Sequence, residues 1–248
     1  MKESIIKINY LYNSAFKVET ENNILIFDYY LDTVENGSKN ASNGAIGEED
    51  LASQKQILVF VSHSHPDHYN RIVLKWKEVN PNIKYILSSD IRIDNKVDDI
   101  YMITKDENIS VGEIGIKAFG STDLGVSFLI TLKDTIIFHA GDLNWWHWYD
   151  ESDEDNRKQE VDFKKEIEKL KNERIDIAFF PVDPRLKDSY ALGADYFINN
   201  INPQVFIPMH FREDYNIIKQ FSKKHREKDI NIFEISRRGD ELSISIKK

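Results

Sequence analysis

The chain has 248 residues, and 41% of them are hydrophobic, which is enough for a sizeable core. Its formal net charge of −9 argues against broad binding to nucleic acids or anionic lipids, because both attract basic surfaces. The absence of cysteine excludes disulfides and thiolate metal ligands.

The amino-terminal segment and the distribution of apolar residues indicate a cytoplasmic protein. Residues 1–10 alternate polar and apolar side chains and lack the continuous apolar run of a signal peptide. No stretch approaches the ~20 apolar residues that a membrane span requires. We therefore expect a small-molecule substrate, no membrane partner and no nucleic-acid partner, while a homo-oligomer is compatible with the sequence.

The chain begins with a predicted meander of strands. Residues 5–18 read as two short strands around Asn13 and Ser14, and residues 24–27 read as a third strand that ends at Asp28. Residues 32–54 are rich in Asn, Gly, Ser and Glu and lack apolar periodicity, so they predict a loop. This loop is either a cover over a ligand site or a solvated connector.

The densest group of metal-ligand residues follows the apolar strand at residues 59–61. Three of the seven histidines, His63, His65 and His68, lie with Asp67 in this short segment. Imidazole and carboxylate groups are ligands of zinc, manganese and iron. Side chains two residues apart on an extended chain point the same way, so His63 and His65 can hold one cation.

Pro66 predicts a change of chain direction within this motif. Proline disfavours helical geometry in the preceding residue and suits the first helical position, so a helix is predicted from Pro66 to Val79. Asp67 and His68 would then leave its first turn toward a second metal, at the ~3.5–4 Å spacing usual in two-metal hydrolases. Helix capping alone is a weaker explanation, because capping needs one such residue and the segment holds several.

The rest of the chain alternates predicted strands and helices, which fits two sheets sandwiched between helices. Strands are predicted at residues 83–87, 100–103, 109–119 (a hairpin with Gly112 at its turn), 127–132, 135–139, 175–181, 205–209, 230–235 and 241–246. Helices are predicted at residues 88–92, 161–171, 191–200 and 215–224, with an exposed acidic loop at residues 150–160. Ligand-type residues are scattered from end to end, which favours a single domain over residues 1–248.

The motif at residues 63–68 resembles the HxHxDH signature of the metallo-β-lactamase-fold hydrolases. The companion residues of that family follow in order: Asp28 and Asp142, each after an apolar strand, and His210 near the carboxyl end. The resemblance covers nearly the whole chain and implies an α+β fold, a four-layer αββα sandwich. A secretion signal and the complete histidine set of a true β-lactamase are missing. The chain is therefore more similar to the non-lactamase branch, such as the ascorbate-6-phosphate lactonase-like metal-dependent hydrolases.

The resemblance implies a binuclear site with two divalent metals, zinc first, with manganese or iron as alternatives. The implied ligands are His63 and His65 for the first metal, Asp67, His68 and His210 for the second, and Asp142 as the bridge. Asp67 and Asp142 are the implied catalytic residues, since Asp67 can also orient the nucleophile or pass a proton to the leaving group. Asp28 is implied to support the histidine segment without touching a metal.

One ligand of the family pattern is missing. The family places a further histidine ahead of the Asp142 strand, and residues 120–125 contain none. Asp123 is the nearest replacement, and a carboxylate there would move the first site toward manganese or iron. Alternatively, Asp123 belongs to an ordinary turn and the first site is weak or vacant. We weigh these two interpretations equally.

Two segments are candidates for substrate contacts. Residues 144–149 hold three of the four tryptophans; Trp145 there is a candidate pocket wall, with core packing or a subunit contact as the alternative. Arg185 could bind a carboxylate or phosphate through its planar fork, or brace a turn through a salt bridge. His139 and His147 are predicted to be supporting residues rather than ligands.

The sequence therefore predicts a metal-dependent hydrolase that uses a metal-bound hydroxide. A metal lowers the pKa of bound water to ~7, so no separate strong base is needed. The substrate is expected to be an ester or lactone, an amide or a phosphodiester, because one metal pair can serve each of them. The alternative function is a non-catalytic metal-binding sensor or scaffold with a decayed first site, an idea that the missing histidine motivates.

Overall fold

The computed structural model describes residues 5–93, 97–228 and 230–246. The chain divides into two compact units, the first formed by Met1–Ile103 with Ile235–Lys248 and the second by Thr104–Glu234. Each unit contains one seven-stranded sheet that has both parallel and antiparallel strands. Two mixed sheets with accompanying helices confirm the predicted fold class. The assignment of residues 1–248 to a single domain stays a prediction.

The elements are numbered in chain order. The strands are β1 (Ile5–Tyr12), β2 (Ala15–Glu19), β3 (Asn23–Phe27), β4 (Gln56–Val61), β5 (Lys84–Ser88), β6 (Ile100–Ile103), β7 (Asn108–Val111), β8 (Ile114–Gly120), β9 (Val126–Leu132), β10 (Thr135–His139), β11 (Ile177–Pro181), β12 (Val205–Met209), β13 (Asn231–Ile232) and β14 (Glu241–Ser245). The α-helices are α1 (Glu48–Leu51), α2 (Asp153–Leu170), α3 (Leu192–Ile201) and α4 (Tyr215–Lys224). The 3₁₀ helices are Ala41–Asn43, Arg71–Glu78 and Pro184–Ser189. None of the helices in the described residues is long and apolar enough to cross a membrane.

The sheet of the first unit has the strand order β14-β1-β2-β3-β4-β5-β6. Its strands are antiparallel from β14 to β3 and parallel from β3 to β6. Strands β3 and β4 are apolar and buried over almost their whole length, as is typical of parallel strands. Parallel strands end at the same edge of a sheet, so Asp28 after β3 meets Ser62 after β4. The Ser62 amide donates a hydrogen bond of 2.7 Å to Asp28 Oδ1.

The sheet of the second unit has the strand order β13-β12-β11-β10-β9-β8-β7. Its strands are parallel from β10 to β13, and their carboxyl ends lie at one edge. That edge carries Asp142 after β10, Asp183 after β11 and His210 after β12. An aromatic core supports these strands: the Phe180 and Phe197 rings stack at 4.6 Å between their centres.

Most of the predicted elements are confirmed. The hairpin predicted at residues 109–119 is formed by β7 and β8, with Gly112 in the left-handed region at φ 64°. The helices predicted at residues 191–200 and 215–224 are α3 and α4. The predicted loop at residues 32–54 is largely irregular but contains α1 and the first 3₁₀ helix.

The helix predicted to begin at Pro66 is wrong. Residues 66–68 form a turn instead, in which the His65 carbonyl accepts hydrogen bonds from the His68 and Tyr69 amides. The next helix is a 3₁₀ helix that begins at Arg71, because the Asn70 side chain caps it by accepting from the Ile72 amide. Asp67 and His68 are therefore presented by a turn rather than by the first turn of a helix.

One further helix prediction and one loop prediction need correction. Residues 88–92 contain no helix: Ser88 ends β5, residues 89–90 form a turn, and the Asp90 carboxylate in this turn accepts from the Ser64 amide. Residues 150–160 are not one exposed loop, because α2 already begins at Asp153. Ser152 caps this helix by accepting from the Asp155 amide, and three acidic residues in its first turn favour the positive end of the helix dipole.

Candidate metal centre

The first unit brings together four side chains of metal-ligand type, His63, His65, Asp67 and His68, which we call the amino-terminal ligand group. The ring centres of His63 and His65 are 4.6 Å apart, and those of His63 and His68 are 4.1 Å apart. His63 and His68 are fully buried, whereas His65 and Asp67 are half-buried. The turn after β4 therefore presents three imidazoles within a volume that suits metal binding.

Asp28 orients two of these imidazoles. Its carboxylate accepts from His68 Nδ1 at 2.8 Å and from the Ser62 hydroxyl at 2.7 Å. The Ser62 oxygen in turn lies 3.0 Å from His63 Nδ1. An ionised carboxylate can only accept, so Nδ1 of His68 carries the proton of its hydrogen bond to Asp28. The Ser62 hydroxyl donates its proton to Asp28, so it accepts from His63, and Nδ1 of His63 also carries a proton. In the neutral form of each ring the lone pair is therefore on Nε2, the state that a metal requires.

The backbone of Asp28 is held in a strained conformation. Its φ of 42° lies in the left-handed region, which residues other than glycine rarely adopt. Such strain costs about 1–3 kcal/mol and persists where the surrounding structure holds it. Here the fully buried carboxylate is fixed by Ser62 and His68. Asp28 thus contacts the histidine segment, as the family resemblance implied.

The second unit brings together Asp123, Asp142 and His210, which we call the carboxyl-terminal ligand group. Asp142 Oδ1 and His210 Nε2 lie 3.3 Å apart, and both side chains are buried. A carboxylate oxygen of Asp123 lies within 4.8 Å of one of Asp142. Carboxylate and imidazole groups at these distances could share a divalent cation.

Asp183 orients His210 in the same way as Asp28 orients His68. Its carboxylate accepts from His210 Nδ1 at 2.9 Å and from Arg185 at 2.5 Å. Burial opposes ionisation of Asp183, but the hydrogen bonds from His210 and Arg185 outweigh it and hold the pKa of Asp183 below its usual range. His210 also has a positive φ, 66°, so this ligand is held in a strained backbone as well.

A hydroxyl joins the two loops that carry Asp123 and Asp142. Thr122 Oγ1 donates to the Asn144 carbonyl at 2.6 Å and accepts from the Asn144 amide at 2.9 Å. The start of the Asp123 loop is anchored by Glu166, which accepts from the Gly120 amide at 3.1 Å. Asp123 is therefore held beside Asp142 by specific hydrogen bonds, as a replacement ligand would need to be.

The three tryptophans after Asp142 have different environments. Trp146 packs against His210 with 5.5 Å between ring centres, and its indole N–H donates to the Asp142 carbonyl at 3.0 Å. Trp148 stacks on Trp146 at 5.9 Å. Trp145 instead packs near Phe163, and the Lys164 ammonium lies 4.6 Å from the centre of its ring. The substrate role of Trp145 stays a prediction.

The structure also shows where the remaining predicted site residues lie. Arg185 forms a salt bridge with Asp183, as the alternative to a substrate role has it, and keeps 42% of its side chain exposed. Its substrate role stays a prediction. His139 is buried, and its Nδ1 accepts from the Gly141 amide at 3.3 Å. His147 is half-buried.

Sequence reasoning missed the supporting roles of Asp183, Thr122 and Glu166. The position of Asp183 after a buried strand is a signal that could have indicated its role. Thr122 and Glu166 carry no comparable signal, because their contacts depend on the tertiary fold.

The chain belongs to the beta-lactamase superfamily. Residues 7–210 match the family model described as the beta-lactamase superfamily domain, which is well over half of the chain. A search of curated proteins found no match.

Solved structures show the same fold. Igni18, described as a metallo hydrolase from the archaeon Ignicoccus hospitalis KIN4/I, is 17% identical, with a TM-score of 0.70 over 98% of this chain and 100% of its own. YhfI, a metallo-β-lactamase fold protein from Bacillus subtilis, is 15% identical, with a TM-score of 0.62 over 98% of this chain and 100% of its own. CmlA, described as a diiron β-hydroxylase from Streptomyces venezuelae, is 11% identical, with a TM-score of 0.62 over 99% of this chain and 55% of its own.

Proposed function

We propose that the protein is a metal-dependent hydrolase whose two ligand groups serve one binuclear centre. The observation that carries this proposal is the repeated orientation of a buried histidine by a buried aspartate. Asp28 holds Nδ1 of His68, and Asp183 holds Nδ1 of His210. A carboxylate that fixes the tautomer of an imidazole is the usual support of a metal-binding histidine.

The proposed ligand roles follow the family resemblance. The first metal is assigned to His63, His65 and Asp123, the second to Asp67, His68 and His210, and the bridge to Asp142. A carboxylate suits the bridging role, because its two oxygens can reach two cations and its charge reduces their repulsion. When bound, a metal pair acidifies water and polarises a carbonyl or phosphoryl oxygen of the substrate.

Asp67 is the proposed proton-transfer residue of this chain. Its half-buried carboxylate is held by the Asn13 amide group, whose Nδ2 lies 3.5 Å from Asp67 Oδ2. A carboxylate in this position can orient a water molecule and return a proton to the leaving group. The proposed substrates are small esters or lactones, amides or phosphodiesters, and the ascorbate-6-phosphate lactonase-like branch is the proposed branch of the superfamily.

The metals are proposed to be two divalent ions, with zinc as the first choice and manganese or iron as alternatives. The closeness of Asp123 to Asp142 favours its role as a ligand. With Asp123 in place of a histidine, the first site has one more oxygen ligand than the family pattern gives it, which moves its preference toward manganese or iron. CmlA, which shares the fold, is described as a diiron protein. Competition between zinc and manganese for the wild type and for Asp123→Asn tests this preference.

Turnover by metal-loaded protein tests the proposed function. The purified chain would be stripped of metal, reloaded with zinc or manganese, and assayed with a generic lactone and with bis-nitrophenyl phosphate. We expect Asp142→Ala to lower turnover by roughly 10³-fold or more while its circular dichroism is unchanged. Asp162→Ala, an exposed carboxylate on α2, is the matched control. Metal binding without turnover of either substrate would favour a sensor or scaffold.

A further inference from the structure

Two cationic side chains lie over two aromatic rings in the second unit. The Arg185 guanidinium is 5.5 Å from the centre of the Trp148 ring, and the Lys187 ammonium is 3.1 Å from the centre of the Tyr149 ring. The aromatic residues follow Asp142 along the chain, and the cationic residues belong to the 3₁₀ helix Pro184–Ser189. We call these four residues the cationic ledge.

The cationic ledge is continuous with His210. Arg185 Nη2 lies 3.3 Å from His210 Nδ1, on the ring whose Nε2 is 3.3 Å from Asp142. Trp146 packs against the same imidazole and stacks on Trp148 with only 7° between the two ring planes. A group bound on the ledge would therefore lie beside the carboxyl-terminal ligand group.

The ledge is open to solvent, although the chain as a whole is acidic. Tyr149 is 66% exposed, and Lys187 is exposed as well. The formal net charge of the chain is −9, so a pair of cationic side chains next to a ligand group is opposite in sign to the net charge of the chain. Asp183 offsets much of the Arg185 charge. Among the described residues, the contact of the Lys187 ammonium is with an aromatic ring rather than with a carboxylate.

The backbone at Lys187 is strained. Its φ of 52° and ψ of −122° lie outside the regions that residues with a side chain normally adopt. Conformations of this kind cost about 1–3 kcal/mol and cluster at ligand sites. Hydrogen bonds on both sides hold the strained residue: the Leu186 amide donates to the Asp183 carbonyl, and the Tyr190 amide donates to the Lys187 carbonyl. The strained residue is thus the one whose ammonium lies on the Tyr149 ring.

We propose that the cationic ledge binds an oxyanion, a phosphate or a carboxylate, that the substrate carries close to the bond that is cleaved. Arg185 binds Asp183 through Nε and Nη2, so it offers its Nη1 edge and the charge that Asp183 does not offset. Lys187 offers a point charge, and the two aromatic rings offer a flat apolar wall for the adjoining part of the substrate. The proposal deepens the proposed function, on which it rests, by naming an anionic substrate class.

Two nitrophenyl esters with the same leaving group test the ledge. Nitrophenyl acetate is neutral, and the nitrophenyl monoester of succinic acid carries a carboxylate. We expect Lys187→Met to raise KM for the succinate ester about tenfold and to leave both constants for the acetate ester unchanged, because only the anion uses the ammonium. Lys187→Arg should restore the lower KM, and Lys219→Met, an exposed lysine on α4, is the matched control for lost charge.

Binding of phenyl phosphate and benzoate to the metal-loaded protein, measured by calorimetry, separates the two anion sources without requiring turnover. Weaker binding of either one to Lys187→Met supports the ledge and identifies the preferred anion. Unchanged binding of both, or an equal loss of turnover on the neutral and the anionic ester, would overturn it. If no ester is turned over but the calorimetric difference remains, the proposed function fails and the anion site stands.

Discussion

The two ligand groups differ in how the chain supplies them. The amino-terminal group comes from a single turn after β4, whereas the carboxyl-terminal group comes from three loops that follow β8, β10 and β12. A local motif needs only the correct turn, but the second group needs a correctly ordered sheet and additional supports. The second group should therefore be more sensitive to changes outside its own residues.

The supports of the two groups also differ in chemistry. Asp28 is held by the amide and hydroxyl of Ser62, which are neutral donors, whereas Asp183 is held by the charged guanidinium of Arg185. Hydrogen bonds to charged donors are stronger, but a guanidinium that is 42% exposed loses part of that advantage to solvent. The Asp28 side chain is fully buried.

The largest effect should come from removing one histidine of each group. If His68 and His210 serve the same second metal, His68→Ala and His210→Ala should each weaken its binding by roughly 100-fold or more. Titration against a chelator of known affinity measures this loss. A normal metal affinity in His210→Ala would show that the carboxyl-terminal ligand group does not contribute to the second metal. His147→Ala is the control for removing a histidine from the second unit.

Replacing the supporting aspartates should have a smaller effect that ranks the two supports. We expect Asp28→Asn and Asp183→Asn to weaken metal binding by about 10- to 100-fold. Asp28→Asn should be the more severe, because Asp28 orients His68 directly and His63 through Ser62. The same chelator titration provides the ranking.

A third aspartate supplies the control for this ranking. Asp195 accepts from His225 Nε2 at 2.8 Å but lies in neither ligand group. Asp195→Asn should therefore leave the metal affinity unchanged. An equal loss in all three variants would mean that the effect reflects general destabilisation.

The hydroxyl of Thr122 should contribute to stability and to the first metal. Thr122→Val keeps the side-chain shape but leaves the Asn144 amide and carbonyl without this partner, which should cost about 1–3 kcal/mol of unfolding free energy. Chemical denaturation measures that loss, and the manganese affinity of the variant shows whether Asp123 has moved. Thr131→Val, at an exposed position of β9, should change neither quantity.

The smallest effect concerns the pH dependence of the Asp195 pair. Burial opposes ionisation of Asp195, but hydrogen bonds from His225 and Lys224 outweigh it and lower the pKa of the carboxyl. A lowered folded-state pKa contributes stability above the unfolded value and loses it as the pH falls through the folded value. Asp195→Asn should cost about 1 kcal/mol at pH 7, and this difference should shrink below about pH 4. A difference that does not change down to pH 2 would contradict this assignment.

The sequence predicted the parts of the molecule that depend on local patterns. Buried strands such as β4 and β12 are continuous apolar runs, and the residues of the amino-terminal ligand group lie next to one another in the chain. Asp142 and His210 were predicted through the family resemblance rather than from a local signal, because neither has a metal-ligand neighbour in its own segment.

The predictions that failed depend on contacts between distant residues or on competing caps. The helix expected at Pro66 is replaced by a turn because Asn70 caps a later helix. The acidic stretch expected to be a loop belongs to α2, because the Ser152 cap and the acidic first turn outweigh its polar composition. The supporting role of Asp183 depends on β11 lying between β10 and β12, which local periodicity does not reveal.

Electron paramagnetic resonance of the protein loaded with two manganese(II) ions tests the central claim most directly. Two ions in one binuclear centre, ~3.5–4 Å apart, should give a spin-coupled spectrum. Asp142→Ala and His68→Ala should each convert it to the signal of isolated ions or abolish it. An uncoupled signal from two bound ions in the wild type would contradict a single binuclear centre built from both ligand groups.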